Sequence, residues 1–291
     1  MQMVYHLGVH ATDGDRLLRT LLDNRDQLHK AGTEIVAPER HKDIFDEALQ
    51  SLAGGSSTPE MEQIMLDAML DGDNPQRVIM STATFMGAYG RVVGREGLYP
   101  QIGRRAAALT RLFPSARTEF FVAIRNPATL LSDVLPLFAG GDYTELMQGN
   151  QPQTLRWRDA IQRLVASVQG RRIVIWCHED VPLIWPEIIR LVAGAGPDVT
   201  LTGGSSYIHE LLTDDGVAKL RDAMSSQDRL SVSRRRELFA EAIAADAQED
   251  ALDQSVDLPG WTQEVVDQVT ETYRADVAEI AVLPGVEFIL P

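Results

Sequence analysis

At 291 residues and 44% apolar composition, the chain carries enough hydrophobic material for one large α/β core, or a core plus a helical extension, so disorder is not the default. A formal charge of −15 repels polyanions over most of the surface, and with no obvious basic patch neither nucleic acid nor an anionic membrane is an expected partner. The single cysteine, Cys177, excludes an intramolecular disulfide framework and reads as a small buried hydrophobe.

The first apolar run, residues 3–7, ends at Gly8 and gives way to the polar bend Val9-His10-Ala11-Thr12-Asp13-Gly14, which predicts a strand and a tight turn. Because the chain opens on that run without a cationic leader, and has no apolar stretch of about 18 residues, cytoplasmic residence is the expectation. Beyond the turn, Leu17, Leu18, Leu21, Leu22 and Leu28 recur at helical spacing, with Asp13 or Asp15 placed to cap the first turn. A short strand over 34–37 leads into a helix over 42–52, and Gly54-Gly55-Ser56-Ser57 separates it from a helix ending near residue 71.

Three further runs, 77–81, 119–124 and 172–177, read as buried parallel strands with helices between and after them over 101–113, 128–138, 155–168 and 186–192. This alternation predicts a three-layer α/β fold, a parallel sheet with helices on both faces. Beyond Gly203-Gly204 the pattern becomes helical, at 207–212, 216–224, 234–245 and 262–281. The predicted organisation is therefore an α/β domain over 1–203 with a helical C-terminal lobe over 204–291 packed on it. Within that lobe 246–257 reads as a solvated acidic connection and 284–291 as a short extended tail.

In parallel sheets ligands lie beyond the carboxyl ends of strands, where an anion can use the N–H groups and positive dipole end of the next helix. The turn from Gly8 to Asp15 occupies that position. His6-Leu7-Gly8-Val9-His10-Ala11-Thr12-Asp13-Gly14-Asp15, followed by Leu21-Leu22-Asp23-Asn24-Arg25-Asp26-Gln27-Leu28, resembles the opening of bacterial sulfotransferase-like P-loop proteins. Their pattern is a His-x-Gly strand end, a Lys-Thr-Gly-Thr-Thr/Ser loop, and a leucine-rich helix running into Asn-Arg-x-x-Leu. Gly8 and Thr12 match, and with Gly14 they are the turn's candidate cofactor-binding residues. Ala11 stands where the lysine belongs, Asp13 where the second glycine belongs, and Asp15 where a hydroxyl residue belongs.

The resemblance extends to Glu119-Phe120-Phe121-Val122-Ala123-Ile124-Arg125-Asn126-Pro127 with Ser132, similar to the family's strand-Arg-x-Pro…Ser element for the donor's 3′-phosphate. It also covers Gly97-Leu98-Tyr99-Pro100 and Leu112-Phe113-Pro114 ahead of it, and spans about residues 3–194. An arginine at a strand end offers a planar fork of donors to a phosphate, or pairs with a carboxylate of its own chain. At Ser81-Thr82-Ala83-Thr84-Phe85 the family's Ser-x-Glu-x-Phe carboxylate is absent, leaving hydroxyls.

His178-Glu179-Asp180 is the densest polar cluster. It offers a general base at His178, or simply a helix cap at Asp180. His10 is the candidate replacement for the lost lysine when protonated, or simply an exposed or hydrogen-bonding loop residue. Arg234-Arg235-Arg236 reads either as a phosphate clamp or as a solvated helix face, and the four tryptophans as packing residues.

The resemblance implies a sulfotransferase-like protein with an impaired donor site: a pseudoenzyme or binding protein whose partner is a small anionic nucleotide or another protein. The alternative is a divergent sulfotransferase using 3′-phosphoadenosine 5′-phosphosulfate as cofactor. A nucleotide kinase or triphosphatase is disfavoured because Gly14-Asp15-Arg16 replaces the Gly-Lys-Ser/Thr that cradles phosphate and magnesium.

Overall fold

The strands that the sequence marks as buried assemble around β1 (Gln2–His6). In chain order follow β2 (Thr33–Val36), β3 (Arg77–Ser81), the two-residue hairpin strands β4 (Val93–Gly94) and β5 (Gly97–Leu98), β6 (Arg117–Ile124), β7 (Arg172–Cys177) and β8 (Val286–Ile289). Apart from the hairpin, they form one six-stranded sheet in the order β2-β3-β1-β6-β7-β8, every neighbouring pair parallel. The structure, a computed structural model, describes residues 1–72, 74–226 and 230–291.

Alternation along the strands divides the core in two, as a sheet covered on both faces requires. Met3, Tyr5, Phe120, Val122, Ile173 and Ile175 point to one side, and Val4, Phe121, Ala123, Val174 and Trp176 to the other. The second side is covered by α1 (Arg16–Asp23), α2 (Arg25–Lys30) and the apolar face of α9 (Val181–Ala193). The first side carries α3 (Pro38–Leu52), α4 (Pro59–Met69), α5 (Ile102–Leu112), α6 (Pro127–Val134) and α8 (Trp157–Ser167). A short helix, α7 (Tyr143–Met147), lies between α6 and α8 and has no counterpart in the sequence reading. Helix α9 begins at Val181, where the reading of Asp180 as a cap places it and before the apolar spacing over 186–192; Pro182 suits a first turn where its missing N–H has no helical partner.

The greatest difference from the sequence reading falls at the C-terminus. Helices α10 (Ser206–His209), α11 (Asp214–Ser225) and α12 (Val232–Asp246) share a separate apolar cluster, built on Ile208, Leu212, Leu220, Leu238 and Phe239, with Leu183 of α9 packed against it. The last helix, α13 (Gln263–Ala281), returns to the main core through Tyr273 and Ile280. Residues 284–291, expected as a tail, contain β8, which pairs with β7 and closes one edge of the sheet. Its Glu287 takes a two-pronged ion pair from Arg172 at 2.8 and 2.9 Å. A sequence boundary at 203/204 therefore separates segments that share one sheet.

Helix α13 is fastened by Asp276, which is 1% exposed. Its carboxylate accepts the Trp157 backbone N–H at 2.6 Å, capping α8 from another helix, and the Arg156 Nε at 2.6 Å. Asp276→Ala strands a buried N–H and half-frees Arg156, so it is expected to lower the unfolding free energy by about 3 kcal/mol. Urea unfolding followed by tryptophan fluorescence measures this. A loss below about 1 kcal/mol would mean that α13 is not anchored as described.

Candidate functional site

Strand β1 has β3 on one side and β6 on the other, so the chain leaving β1 enters the crevice where the winding of the sheet reverses. The Leu7 N–H still pairs with the Phe121 carbonyl at 2.9 Å, and then the turn begins. Four of its residues are left-handed: Gly8 (φ +51°), Ala11 (+53°), Gly14 (+54°) and Asp15 (+62°). At Gly8 a Cβ would meet the Ala83 nitrogen and the Thr82 carbonyl carbon, both at 2.9 Å, so glycine is needed for packing against the segment that follows β3. Around Gly14 a Cβ would meet nothing within 4 Å.

The turn is closed by its own side chains. Thr12 donates its hydroxyl to the Val9 carbonyl at 2.6 Å. Asp13 Oδ2 accepts the Leu17 N–H at 3.0 Å, so a carboxylate of the chain sits on the N-terminus of α1. Asp15, the other residue offered as cap, has left-handed backbone angles and makes no side-chain capping bond among the described residues.

Arg125, at the carboxyl end of β6, reaches across the same crevice. It is 6% exposed. Nη1 donates to the Ala11 carbonyl, Nη2 pairs with Asp133 at 2.7 Å, and Nε donates to the Thr129 hydroxyl at 3.1 Å. Its own carbonyl accepts the Trp157 indole N–H at 2.6 Å. Two further cations at the turn are also occupied. Arg16 grips Glu210 at 2.6 and 2.5 Å with its guanidinium 4.4 Å from the Tyr207 ring, and Arg19 donates to the Gly14 carbonyl at 2.9 Å. Neither Asp133 nor Glu210 was a candidate from sequence; a carboxylate eight positions from its arginine, or 194, leaves no local pattern.

The histidines separate. His10 is buried, with Nδ1 against the Tyr99 hydroxyl at 3.1 Å and Nε2 against the Gly87 carbonyl at 3.0 Å. Burial lowers its pKa, opposed by the Gly87 bond and reinforced by Arg105, and both ring nitrogens are bonded away from the turn. Both nitrogens that the sequence offered to an anion are occupied by Tyr99 and Gly87. His178 lies near Arg125, Asp13 and Asp133, and its Nδ1 is buried without a hydrogen-bond partner among the described residues. Burial first, then Arg125, lowers its pKa to about 4. His6, which sequence reasoning passed over, stands beneath the turn with Nδ1 2.8 Å from the Ser81 hydroxyl and its ring stacked on Trp176.

The other candidates are drawn elsewhere. Glu179 accepts the Asn126 N–H at 2.8 Å and the Tyr273 hydroxyl at 2.8 Å, which removes it from His178. Asp180 makes no capping bond to α9 among the described residues, contrary to the cap reading of that cluster; burial and then Glu179 raise its pKa. The Ser132 hydroxyl accepts the Asp257 N–H at 3.3 Å, laying the acidic connection against α6. Thr82 and Thr84 bond each other at 3.0 Å. Arg234 pairs with Glu237 and Glu241, and Arg235 and Arg236 pair with Glu187, so the arginine triplet is spent on carboxylates of the chain. The structure thus brings Gly8, Thr12, Gly14, Arg125 and His178 to one crevice, and sets His10 and Ser132 to other partners.

No known protein-family model matches this chain, and no curated protein matches its sequence. Among solved structures that superpose on it is a sulfotransferase from Alicyclobacillus acidocaldarius, with 11% identity and a TM-score of 0.40 over 84% of this chain and 96% of the other. Among the described residues no helix is long and apolar enough to cross a membrane.

Two measurements test the site as built. Gly8→Ala combines left-handed strain with a backbone collision and is expected to cost about 3 kcal/mol, whereas Gly14→Ala meets only the strain, about 1 kcal/mol. Equal losses in denaturant unfolding would contradict the close approach at Gly8. His178, neutral when folded, takes up a proton on unfolding between its ordinary pKa near 6.5 and the folded value of about 4. Stability from this group is full above pH 6.5 and falls by ~3 kcal/mol as pH drops to 4. Unfolding free energies of His178→Gln at pH 7 and pH 4 are expected to differ by that much less than in the natural chain; parallel pH profiles would show the ring to be already solvated.

Proposed function

We propose that this chain is a sulfotransferase-like protein that has given up its donor site and acts as a pseudoenzyme or binding protein. One observation carries the reading: the Asp13 carboxylate rests on the Leu17 N–H, on the helix terminus that would otherwise receive a phosphate oxygen. An incoming phosphate would meet that charge, with Asp15 beside it, and repulsion of roughly 1 kcal/mol per pair at ~4 Å in water grows several-fold where the dielectric is lower. Transfer from a phosphosulfate also needs a cation on the leaving phosphate. Ala11 supplies none, and Arg125 and Arg16 are held by Ala11, Asp133 and Glu210.

A second reading, a divergent sulfotransferase, is favoured by His178, a neutral imidazole with an unpartnered buried Nδ1 beside Arg125. In that reading His178 takes the acceptor's proton and Arg125, released from Asp133, faces the donor.

Calorimetric titration with adenosine 3′,5′-bisphosphate at low salt separates the two. The natural chain is expected to give no saturable binding up to ~1 mM, and the double substitution Ala11→Lys with Asp13→Gly to bind at least about 10-fold more tightly than the natural chain. Turnover of the phosphosulfate donor with any hydroxyl or amine acceptor, abolished by Arg125→Ala, would overturn the first reading.

A further inference from the structure

Away from the turn, α3 and α5 lie side by side on the sheet and leave a cleft of about 690 Å³, the size of a small-molecule site. Its trough is apolar: Phe45 and Leu49 on one wall, Ala108 and Leu109 on the other, with Phe85 at one end and Leu52 at the other. Its rim is cationic. Lys42, Arg104, Arg105 and Arg111 line it against a single carboxylate, Asp46, on a chain whose net charge is −15. Among the described residues none of these four cations lies within 4 Å of a carboxylate, whereas the arginine triplet and Arg125 all have acidic partners. Local charge is thus reversed: four cations share one nearby carboxylate, and none is ion-paired with it.

The cations are arranged by fixed contacts. Arg105 donates to the Phe85 and Thr84 carbonyls at 2.6 and 2.8 Å, which holds it at the Phe85 end of the cleft that Lys42 of α3 also lines. Arg111 donates to the Gly54 carbonyl at 3.0 Å at the far end. Beside the Phe85 end stands His41, 1% exposed, its ring packed on Phe85 and Phe45. Neither of its nitrogens has a hydrogen-bond partner among the described residues, a cost that a buried polar group normally avoids.

We infer that this cleft binds an amphipathic small anion: an apolar, preferably aromatic body lying in the trough, with a sulfonate, sulfate, phosphate or carboxylate head held by Lys42, Arg104 and Arg105. The trough alone would accept a neutral apolar molecule; the unpaired rim selects the charged one. None of the residues of the β1 turn lines this cleft, so the inference stands independently of the fate of the donor site.

The probe is 8-anilinonaphthalene-1-sulfonate, titrated by fluorescence against the full chain at low salt, beside the uncharged N-phenyl-1-naphthylamine. Expected are one saturable site for the sulfonate, at least about 10-fold tighter than for the neutral probe, and weakening with added salt. Lys42→Glu with Arg104→Glu is expected to remove at least about 10-fold of the sulfonate affinity and leave the neutral probe unchanged. Ala108→Trp, which fills the trough, is expected to weaken both. Should the double reversal fail to fold by circular dichroism, Arg104→Gln carries the test with a smaller loss in the same direction. Absence of saturable sulfonate binding, equal affinity for the two probes, or indifference to both the charge and the trough substitutions would overturn the proposal.

Discussion

The bond from the Arg125 guanidinium to the Ala11 carbonyl is the constraint on which the rest of the crevice depends. A buried guanidinium is tolerated only where its donors are matched, and here the matches come from three directions: the turn after β1, Thr129 on the first turn of α6, and Asp133 one turn further on. The left-handed backbone at Ala11 is part of the same device. Trp157, itself secured through Asp276, holds the Arg125 carbonyl and so links the turn to α8 and α13.

With that bridge in place, groups of the chain itself occupy the turn. The Asp13 carboxylate meets a free N–H of α1 from within the chain, and Arg16 is turned outward to Glu210 and Tyr207 near α10. The helix end at the switch point of the sheet thus carries a carboxylate of the chain. The α3/α5 cleft differs: Lys42, Arg104, Arg105 and Arg111 line it against the single carboxylate Asp46, and among the described residues none of the four is ion-paired.

Much of the frame was legible in the sequence because central parallel strands are apolar on both faces: 77–81, 119–124 and 172–177 read as such and are β3, β6 and β7. The edge strand β8 was not. Its Val-Glu-Phe-Ile keeps a charged residue on a half-exposed strand, which in isolation resembles a tail. Helix α13 was visible as a helix but not as part of the main core, because Asp276 acts on Trp157 across 119 residues.

At the site, the turn, Gly8 and Arg125 were legible as a constellation, yet their partners were not. Nothing local distinguishes Asp13 from Asp15 as the cap; the left-handed angles of Asp15 decide it. His10 lies in the turn by sequence, but its side chain is committed to Tyr99 and Gly87, contacts set by how the segment after β3 folds back.

The most direct examination of the central claim is a crystal structure of the natural chain grown with saturating adenosine 3′,5′-bisphosphate. An unchanged crevice is predicted, with Asp13 still on the Leu17 N–H and Arg125 still on the Ala11 carbonyl. A phosphate seated on the α1 terminus, with Asp13 displaced and the Arg125 guanidinium swung onto the nucleotide, would contradict it.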